Sequence, residues 1–157
     1  MAAYIKFDGI DGEVVEKDHD KWTELRDFSL NFHKSGGGST GATRNAGSTI
    51  FEPMSISKFV DASTSKLLEL VAGNKKVKVK VHLTTSTDKG DQVYLAYELT
   101  NVMVTGLSTN GDGSVRAYER LTLDYTEIKV EYFPIADDGV RGGAMVFAWN
   151  VNTNKPA

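Results

Sequence analysis

Apolar and polar residues alternate over most of the chain, which is the pattern of half-buried β-strands. The clearest run is 76–83, where four aliphatic residues alternate with three lysines and a histidine. This run and others like it predict strands over 4–7, 28–32, 51–59, 76–83, 93–104, 121–125, 128–132 and 145–149. The sequence therefore predicts seven or eight strands, and several of them are long.

Two breaks in the alternation predict local features. The apolar positions change parity between Tyr125 and Ile128, which predicts a β-bulge near Thr126 and Glu127. A single stretch reads as a helix, capped by Asp61 or Ser63 and ended by Gly73-Asn74, with Leu67, Leu68 and Val71 as its apolar stripe. Many strands with a single helix predict an all-β barrel or sandwich.

The segment 34–49 is rich in glycine and serine and has no apolar periodicity. It therefore predicts a long loop, and loops of more than about 12 residues in a compact domain are usually functional or disordered. Its glycines have the spacing of a phosphate-binding loop, but Ala42 stands where such a loop needs lysine. We therefore interpret it as a loop without a nucleotide site.

Length and composition narrow the class of protein. The chain has 157 residues, 40% of them apolar and 25% charged, which is typical of a single folded domain over 1–157. It has no cysteine, so disulfides and thiolate zinc sites are excluded. A net charge of −3 argues against broad binding to nucleic acid or to an anionic membrane.

The sequence shows no targeting segment. Its start lacks a basic stretch followed by an apolar run, and no window approaches the ~18 apolar residues of a membrane span. We therefore expect synthesis in the cytoplasm and no membrane insertion. Export to the extracellular space or a target cell would then use a route without a cleavable signal peptide.

The residues offer little for catalysis. His19, His33 and His82 lie in different segments and lack metal-ligand spacing. We interpret His82 as a solvated side chain on the polar face of a strand and His19 as part of a polar loop. The sequence thus predicts no catalytic residue, no metal and no cofactor, although a small hydrolase around Asp18-His19-Asp20 remains a weak alternative.

Two surface features leave alternatives open. Lys76, Lys78 and Lys80 form a regular row that is either a solvated strand face or a docking surface for an acidic partner or another subunit. The aromatic residues mostly follow strand parity, so we expect them to fill the core. A saccharide-binding face would instead need several exposed aromatic residues on one side.

Four groups of residues together resemble a known family. They are the opening 4–13, the strand leading into the helix at 56–67, the pair of runs 99–106 and 119–125, and the closing runs 128–132 and 147–150. In their order and spacing over nearly the whole chain, they resemble the Hcp (haemolysin co-regulated protein) family, the tube-forming component of bacterial type VI secretion systems.

This resemblance implies a β-barrel of two packed antiparallel sheets with one short flanking α-helix, assembling as a hexameric ring. Such rings stack into a hollow tube that a contractile sheath drives outward behind a spike protein, and effector proteins are carried in the lumen. The alternative is a monomeric β-barrel binding module, for example for a saccharide.

The resemblance also suggests roles for particular residues. Strand parity places Phe28, Leu30 and Phe32 toward the core, so Ser29, Asn31 and His33 would face outward and line the lumen, where cargo would bind. The glycine-rich loop would contact the next ring through residues Gly36, Gly37, Gly38, Ser39, Thr40 and Arg44. A flexible segment of this kind can become ordered on docking.

Overall fold

The chain folds into twelve strands and one helix within the residues that the computed structural model describes, 1–36 and 46–157. The strands are β1 (Ala2–Phe7), β2 (Thr23–Glu24), β3 (Asp27–Ser29), β4 (Phe32–Gly36), β5 (Ala46–Phe51), β6 (Met54–Phe59), β7 (Val77–Thr87), β8 (Gly90–Asn110), β9 (Tyr118–Asp124), β10 (Glu127–Tyr132), β11 (Met145–Asn150) and β12 (Lys155–Pro156), and the helix is α1 (Thr64–Ala72).

Two antiparallel sheets share strand β8. The first sheet has the order β12-β11-β10-β8-β7-β1-β2, and the second has the order β3-β6-β9-β8. Strands β4 and β5 form a separate hairpin. The buried aliphatic residues of both sheets form one core, which includes Ile5, Val79, Leu99, Ile56 and Leu123.

A bend in β8 carries the chain from one sheet to the other. Residues up to Val102 pair with β7, and residues from Met103 pair with β9. The register with β7 shifts between Leu99 and Val102, and Asn101 within this interval has φ of +58°. An asparagine tolerates this left-handed conformation better than most residues, and a bulge of this kind turns a strand sharply.

On the side away from this bend, the short segment that contains β2 and β3 joins β1 of the first sheet to β6 of the second. The Leu25 N–H donates to the carbonyl of Ala3 on β1 at 2.8 Å, and the Arg26 N–H donates to the carbonyl of Ser57 on β6 at 2.8 Å. Hydrogen bonding therefore runs round from β1 through β7, β8, β9 and β6. This confirms the predicted mainly β architecture of two packed antiparallel sheets and one short helix.

The predicted bulge near Thr126 and Glu127 is wrong. Strand β9 ends at Asp124 in the second sheet, and β10 begins at Glu127 in the first. The parity changes because Tyr125 and Thr126 cross between the sheets. The Tyr125 hydroxyl donates to the carbonyl of Glu52 at 2.9 Å, and the Thr126 N–H donates to the carbonyl of Thr100 at 3.1 Å.

Helix α1 is where the sequence predicts it, but its apolar face is slightly rotated. Its buried residues are Leu67 and Leu70, whereas Leu68 is about half exposed. The predicted stripe was therefore wrong at Leu68. The Ser63 N–H and hydroxyl both donate to Asp61 Oδ1, at 2.9 and 2.5 Å, which holds the turn that starts the helix. The Gly73 N–H donates to the Glu69 carbonyl at its end.

A buried ion cluster ties this helix to the second sheet. Lys58 on β6 and Glu119 on β9 are both fully buried and form an ion pair, and Lys58 Nζ lies 3.0 Å from Asp61 Oδ1. The Thr64 hydroxyl in the first turn of the helix donates to Glu119 Oε1 at 2.9 Å. One lysine therefore balances two carboxylates at the point where the helix meets the sheet.

Replacing Lys58 with alanine should strongly destabilise the fold, because it leaves two carboxylates without their cation. Removing one partner of a buried ion pair costs about 3–5 kcal/mol. The matched control is Lys66→Ala, which breaks the exposed Lys66–Glu69 pair and should cost less than about 1 kcal/mol. Urea unfolding measures both free energies, and equal midpoints for the two variants would contradict this role.

Candidate interaction surfaces

The three residues predicted to face the lumen are all on the surface. Ser29 ends β3, Asn31 lies in the link to β4, and His33 lies on β4. The Asn31 side-chain amide donates to Glu52 Oε2 at 3.0 Å, and His33 Nδ1 lies 3.8 Å from Glu52 Oε1. These residues therefore form a polar surface that is partly ordered by one carboxylate.

The apolar side chains that alternate with these three polar residues follow the predicted parity only in part. Phe28 and Leu30 are half-buried and pack against the core, as predicted. Phe32 does not face the core: it is exposed on the β4–β5 hairpin, with its ring centroid 4.8 Å from that of Phe51. The prediction was wrong there because the strand is interrupted at 30–31, so β4 leaves the second sheet.

Most of the glycine-rich loop lies outside the described residues. Gly36 is the last residue of β4. The other residues predicted to contact a stacked ring, Gly37, Gly38, Ser39, Thr40 and Arg44, belong to the segment that the structure does not describe.

The lysine row is exposed as predicted, but its charge is partly balanced. Lys78 and Lys80 project from β7 opposite the buried Val77, Val79 and Val81, and Lys76 precedes the strand. Lys78 Nζ lies 3.2 Å from Glu98 Oε1 on β8. Lys80 is in register with Glu98 on one side and with Lys6 of β1 on the other.

An exposed apolar strip, which the sequence did not predict, lies at one edge of the first sheet. The first sheet continues past β8 through β10 and β11, and the face that carries Ile128 and Val130 continues onto Tyr132, Met145 and Phe147. Phe147 is 43% exposed, Met145 64% and Tyr132 46%. The core face of the first sheet therefore extends past the second sheet that covers it.

Aromatic residues of the β4–β5 hairpin lie beside this strip. Trp149 of β11 is half-buried against the core, and its ring lies 6.1 Å from that of Phe147 and 6.3 Å from that of Phe51. Phe32, which pairs with Phe51 on the same face of the hairpin, is also exposed. We call Tyr132, Met145, Phe147 and Phe32 the apolar strip.

The interpretation of His19 and His82 as solvated side chains was wrong. His19 is only 2% exposed, and its Nδ1 lies 2.5 Å from Glu16 Oε2 while its Nε2 lies 3.0 Å from Nδ1 of His82. The His19 ring stacks on Tyr4, and the His82 ring packs against Trp22. The two histidines are 63 residues apart, so no local pattern indicates that they meet.

Burial, together with the neighbouring charges of His19 and Lys80, lowers the pKa of His82 to about 4. The His19 contact lowers the pKa of the Glu16 carboxyl. Within 1–36 and 46–157, no three side chains of His, Cys, Asp or Glu are arranged to hold a metal ion. In the same ranges, no helix has both the length and the apolar character needed to span a bilayer.

The family of the chain follows from comparison with known proteins. The family model described as "Type VI secretion system effector, Hcp" matches residues 4–132. The chain belongs to the Hcp family. The resemblance noted in the sequence is thereby confirmed.

Other relatives agree with this membership. The curated Protein hcp1 of Pseudomonas aeruginosa is 28% identical over 157 residues, covering 98% of this chain and 97% of that protein. A solved structure of a type six secretion system protein has a TM-score of 0.91 and 26% identity, and 99% of each chain is covered. Hcp1 from Salmonella typhimurium shares the fold, with a TM-score of 0.79 at 21% identity, covering 99% of this chain and 98% of that one.

Hcp membership bears on the function of the chain rather than on individual residues. It supports a part in type VI secretion. It does not by itself assign the residues of the polar surface, the lysine row or the apolar strip.

Proposed function

We propose that this Hcp chain is the ring subunit of a type VI secretion inner tube, and that it carries effector proteins in the lumen of a six-membered ring. The apolar strip carries this proposal. A sheet that leaves its own core face exposed at one edge has an apolar surface suited to a second copy of the chain.

The position of the strip suits a ring. Each subunit of a ring meets its two neighbours through two different surfaces, so a strip at one edge of the molecule would meet another region of the next subunit. The strip combines the flexible, apolar side chain of Met145 with aromatic residues. This mixture favours a protein partner over a saccharide, because a saccharide site also needs polar groups placed to bind hydroxyls.

The polar surface around Ser29 supports the lumen proposal. Ser29, Asn31 and His33 offer small hydrogen-bonding groups, and the last two lie beside the carboxylate of Glu52. Such groups suit loose binding of varied protein cargo. The ring would stack through the glycine-rich loop and would travel with the spike protein inside the contractile sheath. The lysine row, balanced in part by Glu98, would serve as a docking surface for acidic groups of a neighbouring subunit.

Replacing Met145 with lysine should break the ring, because a charge would be buried where the apolar strip meets the next subunit. The matched control is Val146→Lys, which changes a similarly exposed apolar residue of the same strand on the opposite face. Sedimentation velocity should show single chains for the first variant and rings for the second. If both variants form rings, or neither does, the strip is not the contact surface.

Replacing Ser29 with glutamine should reduce the amount of effector protein that is secreted while the ring mass stays unchanged, because the larger side chain blocks the polar surface. Ser65→Gln on the exposed side of α1 is the control. Quantitative immunoblots of effector in culture supernatants measure the effect. Equal cargo levels in both variants would contradict the lumen assignment.

A further inference from the structure

The loop between β1 and β2 is a compact segment held on the outer face of the first sheet. Within residues 11–22, the Gly12 N–H donates to the Lys21 carbonyl at 2.8 Å, and the Lys21 N–H donates to the Val14 carbonyl at 2.7 Å. These bonds give the segment its own shape. Its attachment to the sheet therefore depends on side chains.

The polar side-chain contacts that attach this segment are of two kinds. The exposed ones come from Lys6 Nζ of β1, which donates to Asp11 Oδ1 at 2.8 Å and to the Lys21 carbonyl at 3.1 Å, and from Arg116, which donates to Glu13 Oε2 at 3.2 Å. The buried contact is that of His19, whose ring lies between Tyr4 and His82, with Glu16 behind it. Exposed ion pairs contribute little, so the buried histidine contact is the main attachment.

The spacing of the ring nitrogens limits the number of protons that this contact can hold. His19 Nδ1–H donates to Glu16. His19 Nε2 and His82 Nδ1 are 3.0 Å apart, so there is room for one hydrogen between them, and either ring can supply it. This arrangement is satisfied when both rings are neutral. It is also satisfied when His19 carries one additional proton and His82 stays neutral. When both rings are charged, two N–H groups face each other and the bond is lost.

We propose that His19 and His82 form a protonation-controlled latch, which holds the segment 11–22 on the first sheet when the rings share one N–H and releases it when both rings are charged. This device does not depend on the ring proposal. A cavity of about 430 Å³ beside the two rings, lined by Asp18, Asp91 and Arg141 among others, gives protons a route from solvent.

The groups around the latch come from every neighbouring element. Glu16 and Asp18 belong to the segment itself, and Asp91 and Arg141 line the cavity. The remaining titratable or charged neighbours are Tyr4 of β1, Glu24 of β2, Lys80 of β7 and Glu131 of β10. Glu131 favours the charged form of His82, but burial, His19, Lys80 and Arg141 oppose it.

The sign of the pH dependence follows from this balance. The folded pKa of His82 is about 4, below the ordinary value of 6.5, so the released state binds the proton more tightly. The latch is therefore closed near pH 7 and loses stability as the pH falls from 6.5 toward 4. Between pH 7 and pH 5 the released fraction should rise about tenfold or more.

Hydrogen exchange followed by mass spectrometry at pH 7, 6 and 5, corrected for the intrinsic pH dependence, tests the latch. The wild-type segment 11–22 should lose protection about tenfold toward pH 5, while peptides of β6 and β9 keep theirs. In His82→Gln, which can still hydrogen-bond but does not titrate, this pH dependence should vanish. In His33→Gln, which changes an exposed histidine of β4, it should persist.

Three results would overturn the proposal. The first is wild-type protection of 11–22 that does not change with pH. The second is a His82→Gln profile that matches wild type, which would place the titration elsewhere. The third is loss of protection in β6 and β9 at the same pH as in the segment, because that is global acid unfolding rather than a local release.

Discussion

The sharing of β8 between the two sheets is the constraint on which the rest of the structure depends. Its first half pairs with β7 on one side and β10 on the other, and its second half turns away at Asn101 to pair with β9. The second sheet therefore covers only part of the first. The uncovered part, formed by β10 and β11, presents most of the apolar strip, so the same bend that builds the core also creates a surface that needs a partner.

Much of the fold could be predicted because strand alternation is a local signal. The alternation from 76 to 83 placed β7 correctly, and the capping residues before Thr64 placed the helix. The bend in β8 also has a signal in the sequence. The apolar positions change parity between Leu99 and Val102, and this is the position of the register shift in the structure.

The side-chain clusters could not be predicted, since each is made of residues far apart in sequence. Lys58 is buried because Glu119, 61 residues away, offers it a partner. Its neighbour Phe59 is exposed, and Arg26 lies over the Phe59 ring at 4.9 Å. His19 and His82 meet across 63 residues. Outward-facing Ser29 and Asn31 were predictable from parity, and their part in cargo binding stays a prediction.

The central claim is that the apolar strip is covered by another copy of the chain. Light scattering coupled to size exclusion, over a series of protein concentrations, tests it most directly. The account predicts a species whose mass is close to six times 17.2 kDa, and the fraction of this species should rise with concentration. A mass of 17.2 kDa that persists at the highest concentration would contradict it.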